Sequence, residues 1–207
     1  MDADTKFRYL NDRAIRFGHK DHYLTMPIRH HPSPQLRADY VAADIAPGAA
    51  LVISLHLELC GACAVQVHAL TGMAVDAGAP PLGIESRGGA EVPDLLKGRS
   101  LGRWRWISPG VRGAEVESVS GLGEAVWLLE VAAGATLPRR AAAAVGLLLV
   151  IDGALDVSSD QLGVGDLLEV TDPGLRMRAL QDEGGVILVT TDANWPVFGL
   201  RRLAGLR

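Results

Sequence analysis

The first third of the chain carries apolar residues at the spacing of a helix. They follow Ser33-Pro34. This pair favours the start of a helix, because serine caps the first turn and proline lacks only an N–H that would be unpaired there. Pro47-Gly48 is expected to end this first helix. The recurring apolar positions are Leu36, Tyr40, Val41 and Ile45.

Two more helices are predicted downstream. The second, from Ala49 to about Leu59, is apolar almost all round, which indicates burial against several neighbours or against a partner. Gly61 is expected to break it, and a third helix runs from about Ala62 to Met73. Three short helices bury little core, so a further stabilising element is expected. The apolar side of the third helix is formed by Val65, Ala69 and Leu70.

Further along, a stretch rich in glycine and proline gives way to short apolar runs. Residues 76–102 are typical of a linker, with one helical turn expected near Asp94–Leu96. From residue 103 onward, short runs bounded by Gly, Pro and Asp predict an all-β sandwich or barrel. The predicted strands are Trp104–Ile107, Ala114–Val119, Val126–Val131, Leu147–Ile151, Asp166–Val170 and Val186–Thr190.

The predicted fold class is therefore multidomain, α followed by all-β. A helical domain spans residues 26–75, a linker spans 76–102 and a β-barrel spans 103–198. Residues 1–25 are polar with weak periodicity, and we interpret them as an N-terminal extension or the product of an early start codon. Residues 199–207 form a C-terminal tail.

Composition narrows the classes of function. Of 207 residues, 48% are hydrophobic and 21% are charged, which suffices for a packed core. The longest apolar stretch is interrupted by polar and helix-breaking residues, and the first twenty residues lack an apolar run, so neither a membrane span nor a signal peptide is predicted. A net charge of −4 does not fit a nucleic-acid-binding surface. We expect a cytoplasmic protein without direct contact to nucleic acid or membrane.

Histidine and cysteine are confined to the first third. All six histidines and both cysteines lie at or before residue 68. His56, Cys60 and Cys63 form the motif H-x-x-x-C-x-x-C, whose spacing places the three side chains on one side of a helix, or of a helix and the following turn. Zinc takes four nitrogen or sulfur ligands in a tetrahedron. We predict one structural zinc ion, which would stabilise the small helical domain.

The fourth ligand must come from another segment. His31, just before the first helix, is well placed if that helix packs against the second, and His30 is its main rival. His19 and His22 are less favoured because their segment lacks a periodic anchor. His68 is interpreted as a surface or core histidine.

Plain core packing and a thiol redox pair are the alternative roles of the two cysteines. Core packing is disfavoured because a histidine one turn upstream has little reason to lie on a leucine-rich helix, and because a histidine pair lies one helix away. A redox switch, in which oxidation of Cys60 and Cys63 expels zinc, stays open beside the zinc site.

These motifs resemble a known family. The run Met26-Pro-Ile-Arg-His-His-Pro-Ser is followed by His56-Leu-Glu-Leu-Cys-Gly-Ala-Cys63 and then by a β-domain. This order is similar to that of the ChrR-type anti-sigma factors of bacteria, which join a zinc-binding anti-sigma domain to a C-terminal cupin. The resemblance covers about residues 26–198.

The resemblance implies ligands, a partner and an activity. It implies that His31, His56, Cys60 and Cys63 bind the zinc ion. It also implies that the helical domain binds an extracytoplasmic-function sigma factor in a 1:1 complex, blocks its access to RNA polymerase and releases it in a stress response. The protein would then not be an enzyme. The alternative is a cupin-family metal-dependent enzyme, or a ligand-binding cupin, with an accessory helical domain.

The β-domain keeps the turns of a cupin and lacks the metal ligands. The spacing of the first cupin motif fits Gly134–Gly153, but its two histidine positions hold Arg140 and Ala142, and its glutamate position holds Gly146. The histidine of the second motif falls near Met177. We therefore expect no metal in this domain, which disfavours the enzyme.

Two expectations concern the surfaces. We expect the barrel to be a scaffold that clamps or shields the helices, rather than a sensor that binds an acidic ligand at Arg139 and Arg140 or is oxidised at Met177. The first and second helices are expected to offer more apolar surface than the bundle covers, so that a bound sigma factor buries the rest. On the second helix that surface consists of Leu51, Val52, Leu55 and Leu59.

Overall fold

The fold follows the predicted class, a few helices and then a β-rich region, in a computed structural model of the chain. The predicted extension, the predicted tail, most of the predicted linker, and His19 and His22 lie outside the residues that it describes. The domain boundaries given above stay predictions. The described residues are 27–72, 96, 99–117, 119, 123–158, 160–172, 174–182, 184–192 and 195.

Three helices occupy the N-terminal region: α1 (Pro34–Val41), α2 (Pro47–Leu59) and α3 (Gly61–Leu70). The start of α1 agrees with the sequence, since the Leu36 N–H donates to Ser33 Oγ at 3.2 Å. Leu96, the last residue of the helical turn predicted within the linker, is buried.

The boundary between α1 and α2 differs from the prediction. The backbone of Ala43 is left-handed, with φ of 54°, and the Asp44 N–H donates to the Asp39 carbonyl at 2.9 Å, which ends α1 soon after Val41. Pro47 then occupies the first turn of α2 instead of closing α1. The fixed φ of proline suits the start of a helix as well as the residues beyond its end, and here the start prevails.

Cys60, rather than Gly61, separates α2 from α3. Its backbone is extended, with φ of −118° and ψ of 91°, and Gly61 is the first residue of α3. The two helices are bent by 119° across this break. Within the described residues, no single helix is long and apolar enough to cross a membrane, and α2 and α3 pass that test only as a bent pair.

The β-region consists of two antiparallel sheets. The larger sheet has the strand order β1-β2-β3-β9-β4-β7, and the smaller has the order β6-β5-β8. The strands and one short helix are β1 (Arg105–Ser108), β2 (Val111–Glu115), β3 (Glu124–Val131), α4 (Arg139–Ala142), β4 (Val145–Gly153), β5 (Leu155–Val157), β6 (Asp160–Leu162), β7 (Leu167–Glu169), β8 (Met177–Ala179) and β9 (Gly185–Asp192).

Each predicted apolar run overlaps a strand of the larger sheet. The second run is displaced, because β2 begins at Val111, three residues before the predicted Ala114. The smaller sheet and α4 were not predicted. Strands β5, β6 and β8 have three residues each, which is too short for a clear alternation of apolar and polar positions.

The central strands β3, β4 and β9 are buried on both faces. On β3, Trp127 and Leu129 belong to the apolar core that also includes buried residues of the smaller sheet. The alternate residues Val126 and Leu128 belong to a second core, together with Leu55 and other buried residues of α2. Burial on both faces explains why these strands form continuous apolar runs rather than alternating ones.

Helix α2 is covered by the chain's own sheet. Leu51, Val52 and Leu55 are 4%, 0% and 0% exposed, and they cluster with side chains of β3, β4 and β9. Leu59 is half-buried against the same cluster. The expectation that α2 presents this surface to a partner is therefore wrong, because the outer face of the larger sheet is apolar and already packs against it.

The apolar side of α3 is not its buried side. Val65 and Leu70 are 54% and 55% exposed, and Ala69 is exposed as well. Cys63 and Val67 are buried in their place. The helical region thus keeps an exposed apolar surface, but on α3 rather than on α2.

The N-terminus of α2 is held by a strand residue. No side chain near the start of α2 caps it, and the Ala49 N–H donates to Glu124 Oε2 on β3 at 3.3 Å. A carboxylate at this helix end is favourable for the helix dipole. Burial nevertheless raises the pKa of Glu124, since desolvation disfavours its charged form.

Replacing Gly48 tests the contact between α2 and the sheet. A Cβ at Gly48 would lie 2.6 Å from Val126 Cγ2 on β3, so we expect Gly48→Ala to lower the free energy of unfolding by about 1–3 kcal/mol. Gly61→Ala is the matched control, because nothing lies within 4 Å of its added Cβ. Thermal unfolding should leave the control unchanged or more stable by up to about 1 kcal/mol. Equal stability of the two variants would contradict the packing described.

A pH titration tests Glu124. Because the folded-state pKa of Glu124 is raised, the folded protein takes up a proton before the unfolded chain does as the pH falls. The free energy of unfolding should therefore rise towards lower pH in the wild type relative to Glu124→Gln, and this gain is lost as the pH rises through the raised pKa. Chemical denaturation from neutral pH down to the ordinary range of a glutamate measures it. Glu117→Gln, at an exposed position, serves as control and should keep the wild-type profile.

Candidate metal centre

Four side chains converge near the start of α1. His31 precedes α1, His56 lies in the last turn of α2, Cys60 lies in the break between α2 and α3, and Cys63 lies in the first turn of α3. One nitrogen or sulfur atom of each lies within 4.8 Å of the others. Both cysteines are free thiols, and both are buried together with His56. The break at Cys60 thus brings the two cysteines to the end of α2.

The spacing of these atoms suits a small ion. His31 Nδ1 lies 3.5 Å from Cys60 Sγ and 3.4 Å from Cys63 Sγ. A nitrogen and a sulfur bound tetrahedrally, at the bond lengths usual for such metal sites, lie about 3.6 Å apart. The imidazole and the two sulfurs are therefore already at the separations that a shared ion requires.

The hydrogen bonding of His56 prepares it as a ligand. Its Nδ1–H donates to the carbonyl of Gly165 at 2.8 Å, and because a carbonyl can only accept, this bond fixes the tautomer. Nε2 then carries the free lone pair, and it is buried without a hydrogen-bond partner. Burial also lowers the pKa of His56, which keeps the ring neutral. A neutral imidazole with one unpaired buried nitrogen is the form that binds a metal.

The thiols also favour a cation. Burial raises the pKa of Cys63, and the adjacent Cys60 raises it further. The positive charge nearby is Arg37, whose Nη1 lies 3.9 Å from Cys63 Sγ. Two thiolates side by side in a buried place need a stronger compensating charge, which a bound metal ion supplies.

The two other histidines that the structure describes, His30 and His68, lie outside the cluster. His30 Nε2 lies 3.1 Å from Asp160 Oδ2 at the start of β6, so its ring does not join the cluster. His68 is exposed on α3. Of the two favoured candidates for the fourth position, His31 and His30, the structure brings His31 to the cysteines.

Several residues of the β-region contact the centre or its surroundings, and these contacts were not predicted. Gly165 orients His56, and Asp166 and Glu169 accept N–H bonds from the segment around His31. Gly165-Asp166 is recognisable in the sequence only as a turn of the cupin pattern. Sequence separations of more than one hundred residues leave no local signal for such contacts.

The β-region lacks a second group of this kind among the described residues. Of the positions that carry ligands in a cupin, Ala142 and Met177 lie in the apolar core, whereas Arg140 and Gly146 are exposed. Side chains of this type cannot hold a metal ion there.

Comparison with known proteins finds similarity in sequence to one regulatory protein. No protein-family model matches it. It is 28% identical over 200 residues to the anti-sigma-E factor ChrR of Cereibacter sphaeroides, in a match that covers 81% of this chain and 92% of the relative.

Solved structures give the same neighbour. The chain matches the crystal structure of Rhodobacter sphaeroides SigE in complex with the anti-sigma ChrR with a TM-score of 0.62 and 28% identity, covering 80% of this chain and 100% of that chain. An RmlC-like cupin from Shewanella frigidimarina matches over 52% of this chain and 90% of its own, with 15% identity and a TM-score of 0.35. The match to the ChrR complex extends over both the helices and the β-region.

Exchanging the two neighbouring histidines tests the geometry of the centre. We expect His31→Gln to reduce the metal content of the purified protein strongly, because His31 completes the cluster. His30→Gln should retain it, since the His30 ring contacts Asp160 instead. Elemental analysis by mass spectrometry gives metal per chain for both variants and the wild type. Loss of metal in His30→Gln with retention in His31→Gln would contradict the arrangement.

Proposed function

We propose that this chain, which is similar to ChrR over most of its length, is an anti-sigma factor. It binds an extracytoplasmic-function sigma factor in a 1:1 complex and blocks the access of that factor to RNA polymerase. The observation that carries the proposal is the match to ChrR from the complex with SigE, which covers the whole of the ChrR chain. The similarity in sequence over 81% of this chain supports the same conclusion.

The metal in this proposal is one zinc ion with a structural role, held by His31, His56, Cys60 and Cys63. Two imidazoles and two thiolates form a common donor set of closed zinc sites. When bound, zinc ties the segment before α1 to the corner between α2 and α3 and neutralises the thiolates. The short helices have little apolar core of their own, so this tie stabilises the surface that the sigma factor contacts.

The contact surface of the helical region is the exposed side of α3. Its apolar side chains, Val65 and Leu70, are more than half exposed, whereas the apolar side of α2 is buried on the sheet. Val65 and Ala69 lie one turn apart, and Leu70 follows Ala69, so the three exposed side chains form an apolar patch. Exposed apolar patches are typical of surfaces that bind a partner. The sigma factor is the partner that the similarity to ChrR supplies.

The proposal assigns no catalysis to the β-region. The positions at which a cupin holds its metal carry Arg140, Ala142, Gly146 and Met177, and their chemistry supports a structural role. The protein acts where sigma factors and RNA polymerase meet, which is the cytoplasm. A stress signal that releases the sigma factor belongs to the same proposal, and a thiol switch at Cys60 and Cys63 is one form it can take.

Co-expression with each extracytoplasmic-function sigma factor of the protein's own genome tests the function. We expect a stable 1:1 complex in size-exclusion chromatography with light scattering. Cys60→Ser combined with Cys63→Ser should abolish it, because zinc no longer holds the corner of α2 and α3. Val65→Ser combined with Leu70→Ser should weaken the complex at least tenfold while the protein keeps its zinc, since only the docking surface is changed.

The two double variants separate the parts of the proposal. A normal complex with the cysteine variant would remove zinc from the mechanism. A normal complex with the α3 variant would move the contact surface elsewhere. Failure of the zinc-loaded wild type to bind or inhibit any sigma factor of its own genome would overturn the function itself. Repression of a sigma-dependent promoter, measured by transcription in vitro, provides a second readout.

A further inference from the structure

We propose that the turn between β6 and β7 belongs to the metal centre, and that Asp166 is a positioning residue that holds His31 against the cysteines. The inference rests on the metal site of the proposed function and assigns a task to the β-region. Residues 28–33, which carry His31, are called the His31 segment. This segment lies outside helices and strands, so its position must be fixed by contacts.

Asp166 binds the His31 segment through its backbone. The carboxylate is buried, with Asp166 2% exposed, and Oδ1 accepts the N–H groups of Arg29 at 2.7 Å and His30 at 2.9 Å. Oδ2 accepts the N–H of Gly163 within its own turn at 2.8 Å. Hydrogen bonds to an ionised acceptor are stronger than neutral ones, and a buried carboxylate persists only where such donors surround it. Asp166 therefore links the backbone directly before His31 to the turn between β6 and β7.

Two further hydrogen bonds hold the backbone next to His31, one before it and one after it. The Leu167 N–H donates to the His30 carbonyl at 3.0 Å, and the Ser33 N–H donates to Glu169 Oε1 at 2.6 Å. These bonds fix the backbone at residues 29, 30 and 33, on both sides of the histidine. The ring of His31 is left free to reach the sulfurs of Cys60 and Cys63.

The same turn orients the second histidine. Gly165, next to Asp166, accepts the hydrogen bond from His56 Nδ1. Its φ of 87° lies in the left-handed region, and a Cβ there would lie 2.5 Å from Ile28 Cδ1, so glycine allows the His31 segment to approach. Both imidazoles are thus positioned by two consecutive residues of the β-region, whereas both thiols come from the helical corner.

This arrangement makes the affinity for zinc depend on the β-region. Without the turn, His31 would lie on a free segment, and ordering it would reduce the binding free energy of the ion. Groups that orient metal ligands typically change metal affinity by about 10–100-fold when they are removed. The two imidazoles are the ligands that respond to changes in the turn.

Measurement of zinc affinity in the full chain tests this role. Competition with a chromophoric chelator should show an affinity about 10–100-fold lower in Asp166→Asn than in the wild type. The side-chain amide of asparagine has only one accepting oxygen. Asp166→Asn therefore loses the hydrogen bonds either to the His31 segment or to the turn. Asp156→Asn, at an exposed position on β5, is the matched control and should bind zinc as the wild type does. Hydrogen exchange should show faster exchange of the Arg29 and His30 amides in Asp166→Asn alone.

A second variant guards against misfolding. Glu169→Gln leaves the turn itself intact and weakens only the contact with Ser33, so we expect a smaller loss of zinc affinity. This variant tests the role of the β-region if Asp166→Asn does not fold. Unchanged affinity and unchanged amide exchange in the folded variants would overturn the role of Asp166. A wild type that binds no zinc would overturn the metal centre as well. A wild type that binds zinc but no sigma factor would overturn only the proposed function.

Discussion

The docking of α2 on the outer face of the larger sheet is the interaction on which the rest of the structure depends. It buries Leu51, Val52 and Leu55 almost completely and makes the sheet a layer with two covered faces. It also fixes where α2 ends, and with it the position of His56 and of the break at Cys60. A helix that stood free of the sheet could not keep His56 against the carbonyl of Gly165. The cluster of His31, His56, Cys60 and Cys63 is thus a consequence of packing between the helices and the β-region.

The centre and the packing support each other. Apolar burial brings α2 to the sheet, whereas the segment before α1 buries little apolar surface beyond Pro32 and part of Ile28. Hydrogen bonds to Asp166 and Glu169 hold that segment in place. An ion shared by His31 and the thiols would then close the loop between the segment, the helical corner and the turn. Each contact is modest, but removing one loosens the geometry of the others.

Local chemistry was predictable from the sequence, and distant contacts were not. The motif of His56, Cys60 and Cys63 spans a separation of seven residues, and the serine cap of α1 spans three. The local sequence therefore indicates both. Pro47 suits either side of a helix boundary, and its role depends on the sheet that receives α2. The position of His31 near the cysteines, and of the His30 ring away from them, depends on contacts with Asp160 and Asp166, more than one hundred residues away. The buried face of α2 likewise depends on strands that no local pattern connects to it.

The burial of α2 also constrains the proposed binding of a sigma factor. Exposing Leu51, Val52 and Leu55 would cost roughly 5–9 kcal/mol, at about 1.5–3 kcal/mol for each fully buried side chain. A partner that displaced α2 would have to offset this cost before gaining any affinity, whereas the apolar residues of α3 are accessible without rearrangement. Binding at α3 would leave His56 in contact with Gly165, so the proposed complex is compatible with an intact cluster of His31, His56, Cys60 and Cys63. Separation of α2 from the sheet would break that contact, and a signal that loosens the β-region would therefore act on the metal centre first.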